Sequence, residues 1–263
     1  MNSLTPLDFK ELVFSEYSVS EITNNPKNKI DYLNKLVNEG NIIVFKNELD
    51  KHTPTQLIKY FKNILLNNLE TMVPIQEKCP NYVRFSHSDE RAEVPIFCDS
   101  VSFFPWNRDL CDLFPSYFKF YQLKNLFSGA PINRYLRTSE NGATARIAAH
   151  HYPEGKGFLG CHTDPIGSHQ EITCTVLLDS GINDQCKLGG YYVIKNKEKV
   201  FFEINLNPGD FYIGHPLIPH GIEAQGKLSS FNPLSSLGRW SLLFAVNRLF
   251  DNKSISDSKN IEI

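Results

Sequence analysis

A short stretch near the middle of the chain, CHTDPIGSH (residues 161–169), concentrates side chains that bind metal ions. Residues two apart on a β-strand point to the same side of the sheet, so an extended segment here would direct His162 and Asp164 to one ion. Pro165 has no backbone N–H, and we expect it to end regular strand pairing just past this pair. We expect His169 to be a polar loop residue. Because an isolated H-x-D pair is common, a third ligand is needed to define a site.

The segment NPGDFYIGHPLIPHGIEA (207–224) offers two candidates for that ligand, His215 and His220. Pro208-Gly209-Asp210 predicts a turn into the strand DFYIG, and a second short strand begins at His220. Two imidazoles and one carboxylate on one face of an ion form the facial triad of non-haem Fe(II) oxygenases. This triad leaves coordination positions open for a bidentate cosubstrate and dioxygen. Taken singly, either histidine is more often an ordinary core or surface residue than a metal ligand.

A second chemical pair lies in LGRWSLLFAVN, where Arg239 and Ser241 are two apart on a predicted strand. A guanidinium matches a carboxylate through two parallel hydrogen bonds, and a neighbouring hydroxyl adds a third. Such a pair suits the far end of a dicarboxylate cosubstrate. Any single R-x-S taken alone is more often a surface arginine on an edge strand.

Taken together, these motifs occur in a characteristic order: HHYP (150–153), HTD (162–164), GGYYV (189–193), PHGI (219–222) and RWS (239–241). In this order they resemble the 2-oxoglutarate- and Fe(II)-dependent oxygenases, most nearly the isopenicillin N synthase-like branch. The resemblance extends from about Ala145 to Val246. Where this branch commonly has an Asn two residues before the Tyr, this chain has His150.

The resemblance implies a set of site residues and cofactors. His162, Asp164 and His220 would hold Fe(II), and Arg239 and Ser241, together with Tyr152, would hold the far carboxylate of 2-oxoglutarate, with O2 as the oxidant. The family places the late histidine about ten residues after the Asp of a P-G-D turn. His220 fits this spacing from Asp210, and His215 does not.

The resemblance further implies a dioxygenase that oxidises a C–H bond of a small molecule, such as an amino acid or a natural-product intermediate, and releases succinate and CO2. Hydroxylation is the default outcome, and the carboxylate of Asp164 disfavours halogenation. Three alternatives stay open. One is a 2-oxoglutarate-independent iron oxidase of the same fold. Another is a non-catalytic jelly-roll binding protein. The third is a hydroxylase or demethylase of protein or nucleic acid.

The elements that must position these residues predict a mainly β protein with flanking helices. We expect a single domain over 1–263, with a mixed helical part at 1–142, a double-stranded β-helix core (a cupin-like jelly roll) at 143–250 and a flexible tail at 251–263. Apolar spacing predicts helices within 25–40, 52–70 and 108–127, the last interrupted at Pro115. Short β-rich runs separated by Gly and Pro turns fill the core segment.

Residues 75–107 show no clear period and are rich in proline and aromatic side chains, which is typical of functional loops. We expect this segment to line a substrate pocket through Tyr82, Arg84 and Trp106, with His150 facing the substrate from the core. Arg84 or Arg146 could pair with a substrate carboxylate, although each is more often a structural arginine.

Composition and net charge limit the classes of substrate and partner that we expect the protein to bind. The chain has 263 residues, with 41% hydrophobic and 21% charged residues and a formal net charge of −2. We therefore expect a small-molecule substrate and no nucleic acid. The N-terminus lacks a signal-peptide pattern, and no run approaches about eighteen apolar residues. Six cysteines without C-x-x-C spacing fit reduced thiols, so we expect a cytoplasmic protein outside the membrane.

Overall fold

The computed structural model describes residues 5–67, 81–85, 92–107, 109–167, 170–182, 189–249 and 259–261. Within these residues the chain forms helices α1 (Val19–Asn24), α2 (Lys29–Asn38), α3 (Thr53–Asn67), α4 (Leu113–Ser116) and α5 (Phe118–Phe127). The first seven strands are β1 (Leu12–Phe14), β2 (Ile42–Phe45), β3 (Asn81–Phe85), β4 (Ile96–Phe103), β5 (Ala143–Pro153), β6 (Phe158–Thr163) and β7 (Thr173–Asp179). The later strands are β8 (Gly190–Lys195), β9 (Glu198–Val200), β10 (Phe211–Gly214), β11 (His220–Glu223), β12 (Gly238–Arg248) and β13 (Lys259–Asn260).

The strands form one curled sheet in the order β1-β2-β10-β7-β12-β5-β4-β6-β11-β8-β9, with β3 beside β4 and β13 beside β6. Its centre is the long antiparallel pair β5–β12, whose register runs from Ala143 opposite Arg248 to Pro153 opposite Gly238. β4 pairs with β5 along one part of its length and with β6 along another, so it joins the two halves of the curl. This architecture confirms the predicted mainly β jelly roll with flanking helices.

The two faces of the central strands serve different purposes. On β12, Trp240, Leu242 and Phe244 belong to a core that also contains the buried faces of α3 and α5. The residues on either side of Trp240, Arg239 and Ser241, are buried on the opposite face, toward the inside of the curl. This alternation follows from the period of two in a β-strand. The concave face is therefore free to carry polar side chains while the convex face packs against helices.

The P-G-D turn before β10 ties two parts of the sheet together. Asp210 is fully buried, and its carboxylate accepts hydrogen bonds from the backbone N–H groups of Asn47 (2.9 Å) and Asn207 (2.8 Å). Lys46 forms an ion pair with it at 2.7 Å. Asp210 thus fixes the loop after β2 to the start of β10 and takes a structural role beside the metal-binding motif.

The helices largely follow their predicted pattern. Leu33 and Val37 are buried on α2, and the chain turns after it at Gly40, whose φ is 91°. A Cβ added at Gly40 would lie 2.3 Å from the carbonyl oxygen of Asp8, so only glycine fits there. The helical segment predicted at 108–127 is two helices, α4 and α5, that meet at Tyr117 just after Pro115. No helix among the described residues is long and apolar enough to cross a membrane.

Three segments differ from the sequence-based expectation. The part of 75–107 that the structure describes contains β3 and β4, because pairing with β5 imposes a strand on residues with no clear period. The run KVFFEINL forms a strand only to Val200 and then a 3-10 turn at Glu203–Asn205. Within 251–263, residues Lys259 and Asn260 pair with β6 instead of fraying.

Phe244 joins the sheet to the helices, and its loss tests this packing. Its ring is fully buried and lies 4.8 Å from that of Phe120 and 5.6 Å from that of Tyr121, centroid to centroid. We expect Phe244→Ala to lower the free energy of unfolding by about 3–5 kcal/mol, because it leaves a cavity. Chemical denaturation measures this change. Leu110→Ala, at a residue that is 92% exposed, should change it by less than about 0.5 kcal/mol.

Candidate metal centre

Strand pairing brings the two histidines of the motifs together. β6 and β11 are antiparallel neighbours, and His162 and His220 are direct partners across the pair. Their ring centroids lie 4.3 Å apart. Asp164 follows the end of β6, where its backbone N–H donates to the carbonyl of Pro216 at 2.9 Å. Asp164 is therefore held just past the strand, beside both rings.

The donor atoms converge on one point. An oxygen of Asp164 lies 3.5 Å from Nε2 of His162, and the other lies 3.6 Å from Nε2 of His220. Each residue offers one ligand atom, and these three atoms all lie within 4.8 Å of one another. Neighbouring ligands of an octahedral ion are about 3 Å apart when each bond is about 2.1 Å. A small inward movement of these side chains would close the site around an ion, so the residues fit Fe(II).

Backbone carbonyls orient both imidazoles for metal binding. Nδ1 of His162 lies 3.0 Å from the carbonyl oxygen of Gly160, and Nδ1 of His220 lies 2.9 Å from that of Ile218. A carbonyl can only accept, so each Nδ1 carries the proton and each Nε2 keeps its lone pair. The free lone pairs are the ones that face Asp164.

Charge and burial set the protonation of the three groups. Burial alone would raise the pKa of Asp164, but the charges of His220 and His162 outweigh it and lower the pKa to about 2. Burial lowers the pKa of His220 to about 4. Burial also opposes protonation of His162, yet the carboxylate of Asp164 favours the protonated ring, whose Nε2–H could donate to it, and so leaves the pKa of His162 raised. An ionised carboxylate and a neutral His220 are the forms that bind metal, so protons compete with an ion chiefly at His162.

His215, the other candidate for the third ligand, stands apart from this cluster. His215 lies in the turn between β10 and β11, where its Nδ1 accepts the backbone N–H of Leu217 at 3.1 Å. It is not among the three residues whose donor atoms converge. His169 lies outside the described residues.

Glycine at position 221 allows β11 to approach its neighbours closely. A Cβ there would lie 2.5 Å from the hydroxyl of Tyr192 and 2.8 Å from the carbonyl oxygen of Leu159. A larger residue would push β11 away from β6 and separate His220 from His162. The small residue after the histidine is thus a requirement of strand spacing.

A buried arginine lies one aromatic ring away from the histidines. The guanidinium of Arg239 is 5.2 Å from the ring centre of Tyr191, and that ring stacks on His220 at 5.5 Å. Nη1 of Arg239 donates to the hydroxyl of Ser241 at 2.9 Å. The ring centre of Tyr152 is 5.7 Å from the guanidinium. The structure therefore brings together the three residues predicted to hold the cosubstrate, on the concave face near the triad.

Glu203 is a partner of Arg239 that the sequence reasoning missed. Its carboxylate accepts from Nε at 2.8 Å and from Nη2 at 2.7 Å, and both side chains are only 2% exposed. Tyr212 donates its hydroxyl to Glu203 at 2.8 Å. A glutamate inside the apolar run VFFEI was the available signal, since buried carboxylates need a cationic partner.

Arg239 and Ser241 form the anchor that the motif predicts for the cosubstrate, and only one side of the guanidinium remains open to it. The described residues leave one N–H of Nη1 and the hydroxyl hydrogen of Ser241 without a partner, and both could be donated to a carboxylate. The opposite edge of the guanidinium, formed by Nε and Nη2, is taken by Glu203. The anchor can contact 2-oxoglutarate, but without the free cationic fork that the motif predicts.

The residues predicted to face the substrate fall into two groups. His150 lies on the concave face of β5, 6.1 Å from the ring of Tyr152, and the charges of Asp164, Arg146 and Arg239 all act on it. Trp106 lies on the turn after β4, where it stacks on Phe104 at 4.8 Å.

For Tyr82 and Arg84 only the backbone is described. They are paired with Val101 and Asp99, whereas the alternate strand positions of β4, Ser100 and Ser102, oppose Val83 and Asn81. The roles of Tyr82, Arg84 and Trp106 stay predictions.

Comparison with known proteins supports the fold. JOX2, solved with 2OG, Fe and JA, superposes with a TM-score of 0.54 at 11% identity, covering 95% of this chain and 78% of its own. A prolyl hydroxylase from Trichoplax adhaerens, in complex with a hypoxia inducible factor peptide, gives 0.51 at 12% identity, covering 90% and 94%. A Pseudomonas putida prolyl-4-hydroxylase gives 0.50 at 13% identity, covering 83% and 98%.

At these identities the likeness shows a shared fold. No protein-family model matches the sequence, and no curated protein is significantly similar to it. The chain thus has the fold of 2-oxoglutarate- and Fe(II)-dependent oxygenases, and the isopenicillin N synthase-like branch stays a prediction.

Removal of single ligands tests the metal centre. We expect His162→Ala, Asp164→Ala and His220→Ala each to weaken Fe(II) binding by more than about 100-fold, because each removes one of three converging donors. Anaerobic equilibrium dialysis with metal analysis measures the affinity. His215→Ala is the matched control and should bind as the unaltered protein does. Equal loss in His215→Ala, or tight binding by His162→Ala, would contradict the assignment.

Proposed function

We propose that the protein is a non-haem oxygenase that uses Fe(II), 2-oxoglutarate and O2 to oxidise a C–H bond of a small molecule. The observation that carries this proposal is the convergence of two oriented imidazoles and one ionised carboxylate. Three ligands fill only half of the positions around an octahedral ion, and Arg239 lies beyond the ring of Tyr191 that stacks on His220. Such a facial arrangement leaves room for a cosubstrate and dioxygen.

In this proposal each residue has a defined task. His162, Asp164 and His220 hold the iron through the atoms already described. Ser241 and Nη1 of Arg239 orient the far end of the oxo acid. The buried ring of Tyr152 and the partly buried ring of Tyr191 limit the access of water to the space between them. When bound, iron and 2-oxoglutarate together supply the oxidising power to break an unactivated C–H bond, with release of succinate and CO2.

The proposed substrate chamber is the concave face of β5 and β4 beside the triad. His150 is opposite Ser100 in the register, and the buried hydroxyl of Ser100 has no hydrogen-bond partner among the described residues. Burial, with the charges of Arg146 and Arg239, lowers the pKa of His150 to about 3, so the ring is neutral near pH 7. These groups can therefore bind a polar substrate without adding charge of their own.

Arg146 adds a cation to the same face. Its Nε donates to the hydroxyl of Ser102 at 2.9 Å, and no carboxylate of the described residues lies within ion-pair distance of it. The remaining N–H groups can hold a carboxylate through two parallel bonds. We therefore favour a small substrate that carries an acidic group, an amino acid or a natural-product acid among them.

One observation favours a second candidate, the 2-oxoglutarate-independent iron oxidase. Glu203 already occupies the guanidinium edge that would bind the far carboxylate. A non-catalytic jelly-roll protein and a hydroxylase of protein or nucleic acid have no comparable feature in their favour. The cytoplasmic location expected from the cysteine pattern stays a prediction.

The experiment that tests the proposal is an anaerobic titration of the apoprotein with Fe(II) and then 2-oxoglutarate. We expect a weak visible absorption band that needs both additions, because the oxo acid must chelate iron held by the triad. Bound iron without a band would favour the cosubstrate-independent oxidase. Failure to bind iron would overturn the enzyme proposal.

The acidic substrate has its own test. A panel of small carboxylic acids and their methyl esters is screened for succinate release. We expect the acids to be preferred by at least about tenfold, and Arg146→Met to remove that preference because it removes a cation that forms no ion pair with a described carboxylate. Arg137→Met, at an exposed arginine, is the control and should keep it. Equal turnover of acids and esters by the unaltered protein would speak against the role of Arg146.

A further inference from the structure

Most of the N–H donors of Arg239 on the concave face already have hydrogen-bond partners within the protein. A guanidinium has five N–H donors. Glu203 accepts from Nε and from Nη2, the hydroxyl of Tyr212 lies 3.1 Å from Nη2, and Ser241 accepts from Nη1. At most one N–H, on Nη1, remains for an incoming ligand. The bidentate edge that normally recognises a carboxylate is therefore closed.

The charge of the anchor is also cancelled. Arg239 and Glu203 are each 2% exposed, so water screens their charges poorly and each acts chiefly on its nearest neighbours. A ligand carboxylate placed on Nη1 and Ser241 would meet a neutral pair in place of a free cation. It would also bring a second negative charge close to Glu203, and like charges in a buried site oppose one another.

Glu203 is not easily displaced by such a ligand. Besides its two bonds to Arg239, it accepts the hydroxyl of Tyr212, and it lies in the 3-10 turn Glu203–Asn205, where Phe202 and Leu206 on either side are buried. Moving the carboxylate away would break these bonds and leave the guanidinium as an uncompensated buried charge, which is strongly unfavourable. The pair is a permanent part of the chamber wall.

We propose that Glu203 is a specificity-determining residue of the cosubstrate site: by neutralising Arg239, it makes binding of a 2-oxo acid depend little on a distal carboxylate. This inference rests on the proposed function, because it concerns the same iron site. The site would accept 2-oxo acids with uncharged distal ends nearly as well as 2-oxoglutarate.

The test compares 2-oxoglutarate with 2-oxopentanoate, which has a methyl group where 2-oxoglutarate has its distal carboxylate. Anaerobic Fe(II)-loaded protein is titrated with each acid, and the dissociation constants are taken from the visible band. We expect the unaltered protein to prefer 2-oxoglutarate by less than about fivefold. Glu203→Gln, which keeps shape and removes charge, should bind 2-oxoglutarate at least about tenfold more tightly and 2-oxopentanoate unchanged.

Two control variants separate charge from structure. Glu140→Gln removes a carboxylate at an exposed position and should change neither constant. Tyr212→Phe removes one hydrogen bond of the pair but keeps both charges, so it should leave the ratio of the two constants close to that of the unaltered protein. Fe(II) affinity should be the same in all variants, since none touches the triad.

A merely structural role of Glu203 predicts a different result. In that case Glu203→Gln would weaken both acids equally or change neither, and either outcome overturns the inference. A preference of the unaltered protein for 2-oxoglutarate of more than about 100-fold would overturn it as well. This last measurement needs no variant, so the inference remains falsifiable if Glu203→Gln does not fold.

The outcomes also separate this inference from the proposed function. If only Glu203→Gln binds 2-oxoglutarate, the inference holds and the native protein is not 2-oxoglutarate-dependent. If the unaltered protein binds it and Glu203→Gln binds it no better, the function stands and the inference fails. If neither binds it, both are overturned.

Discussion

The pairing of β6 with β11 is the contact on which the candidate site depends. It makes His162 and His220 direct neighbours across two antiparallel strands, and it carries Asp164 to the end of the same strand pair. The pairing needs close approach, which Gly221 permits. It also lets two backbone carbonyls hold both imidazoles in one tautomer. Geometry and protonation of the donor set thus follow from a single register.

The rest of the sheet allows this polar site to exist inside a stable protein. Each central strand presents apolar residues to the helices and polar residues to the concave interior, because side chains alternate along a strand. On β12, Phe244 packs against α5 while Arg239 and Ser241 lie on the other side. Burial of the convex face stabilises the fold, so the concave face can carry charges that contribute little to stability.

The two charged groups of the concave face, Asp164 and Arg239, have different kinds of partner. Asp164 faces two histidines whose Nε2 lone pairs are free to bind a metal ion, so this cluster remains open to a ligand. Arg239 faces Glu203, which cannot be exchanged without leaving a buried charge. One concave face therefore holds an anionic donor set ready for a cation and a cationic group already neutralised. This asymmetry distinguishes the chamber from one built around a free arginine.

Local patterns determined much of what could be known in advance. The period of two placed His162 beside Asp164 and Arg239 beside Ser241. The apolar spacing of α2 and α3 predicted helices, and the turn residues between strands predicted a jelly roll.

The tertiary structure alone decided the contacts between distant segments. The spacing after Asp210 already favoured His220 over His215, but only the pairing of β11 with β6 brings His220 opposite His162. Likewise, β4 is a strand because β5 provides its hydrogen-bonding partners. The neutralisation of Arg239 depends on where the turn after β9 brings Glu203. Alternation and turn chemistry act between neighbours in sequence, whereas ligand sets and buried ion pairs form between residues that only the folded sheet brings within bonding distance.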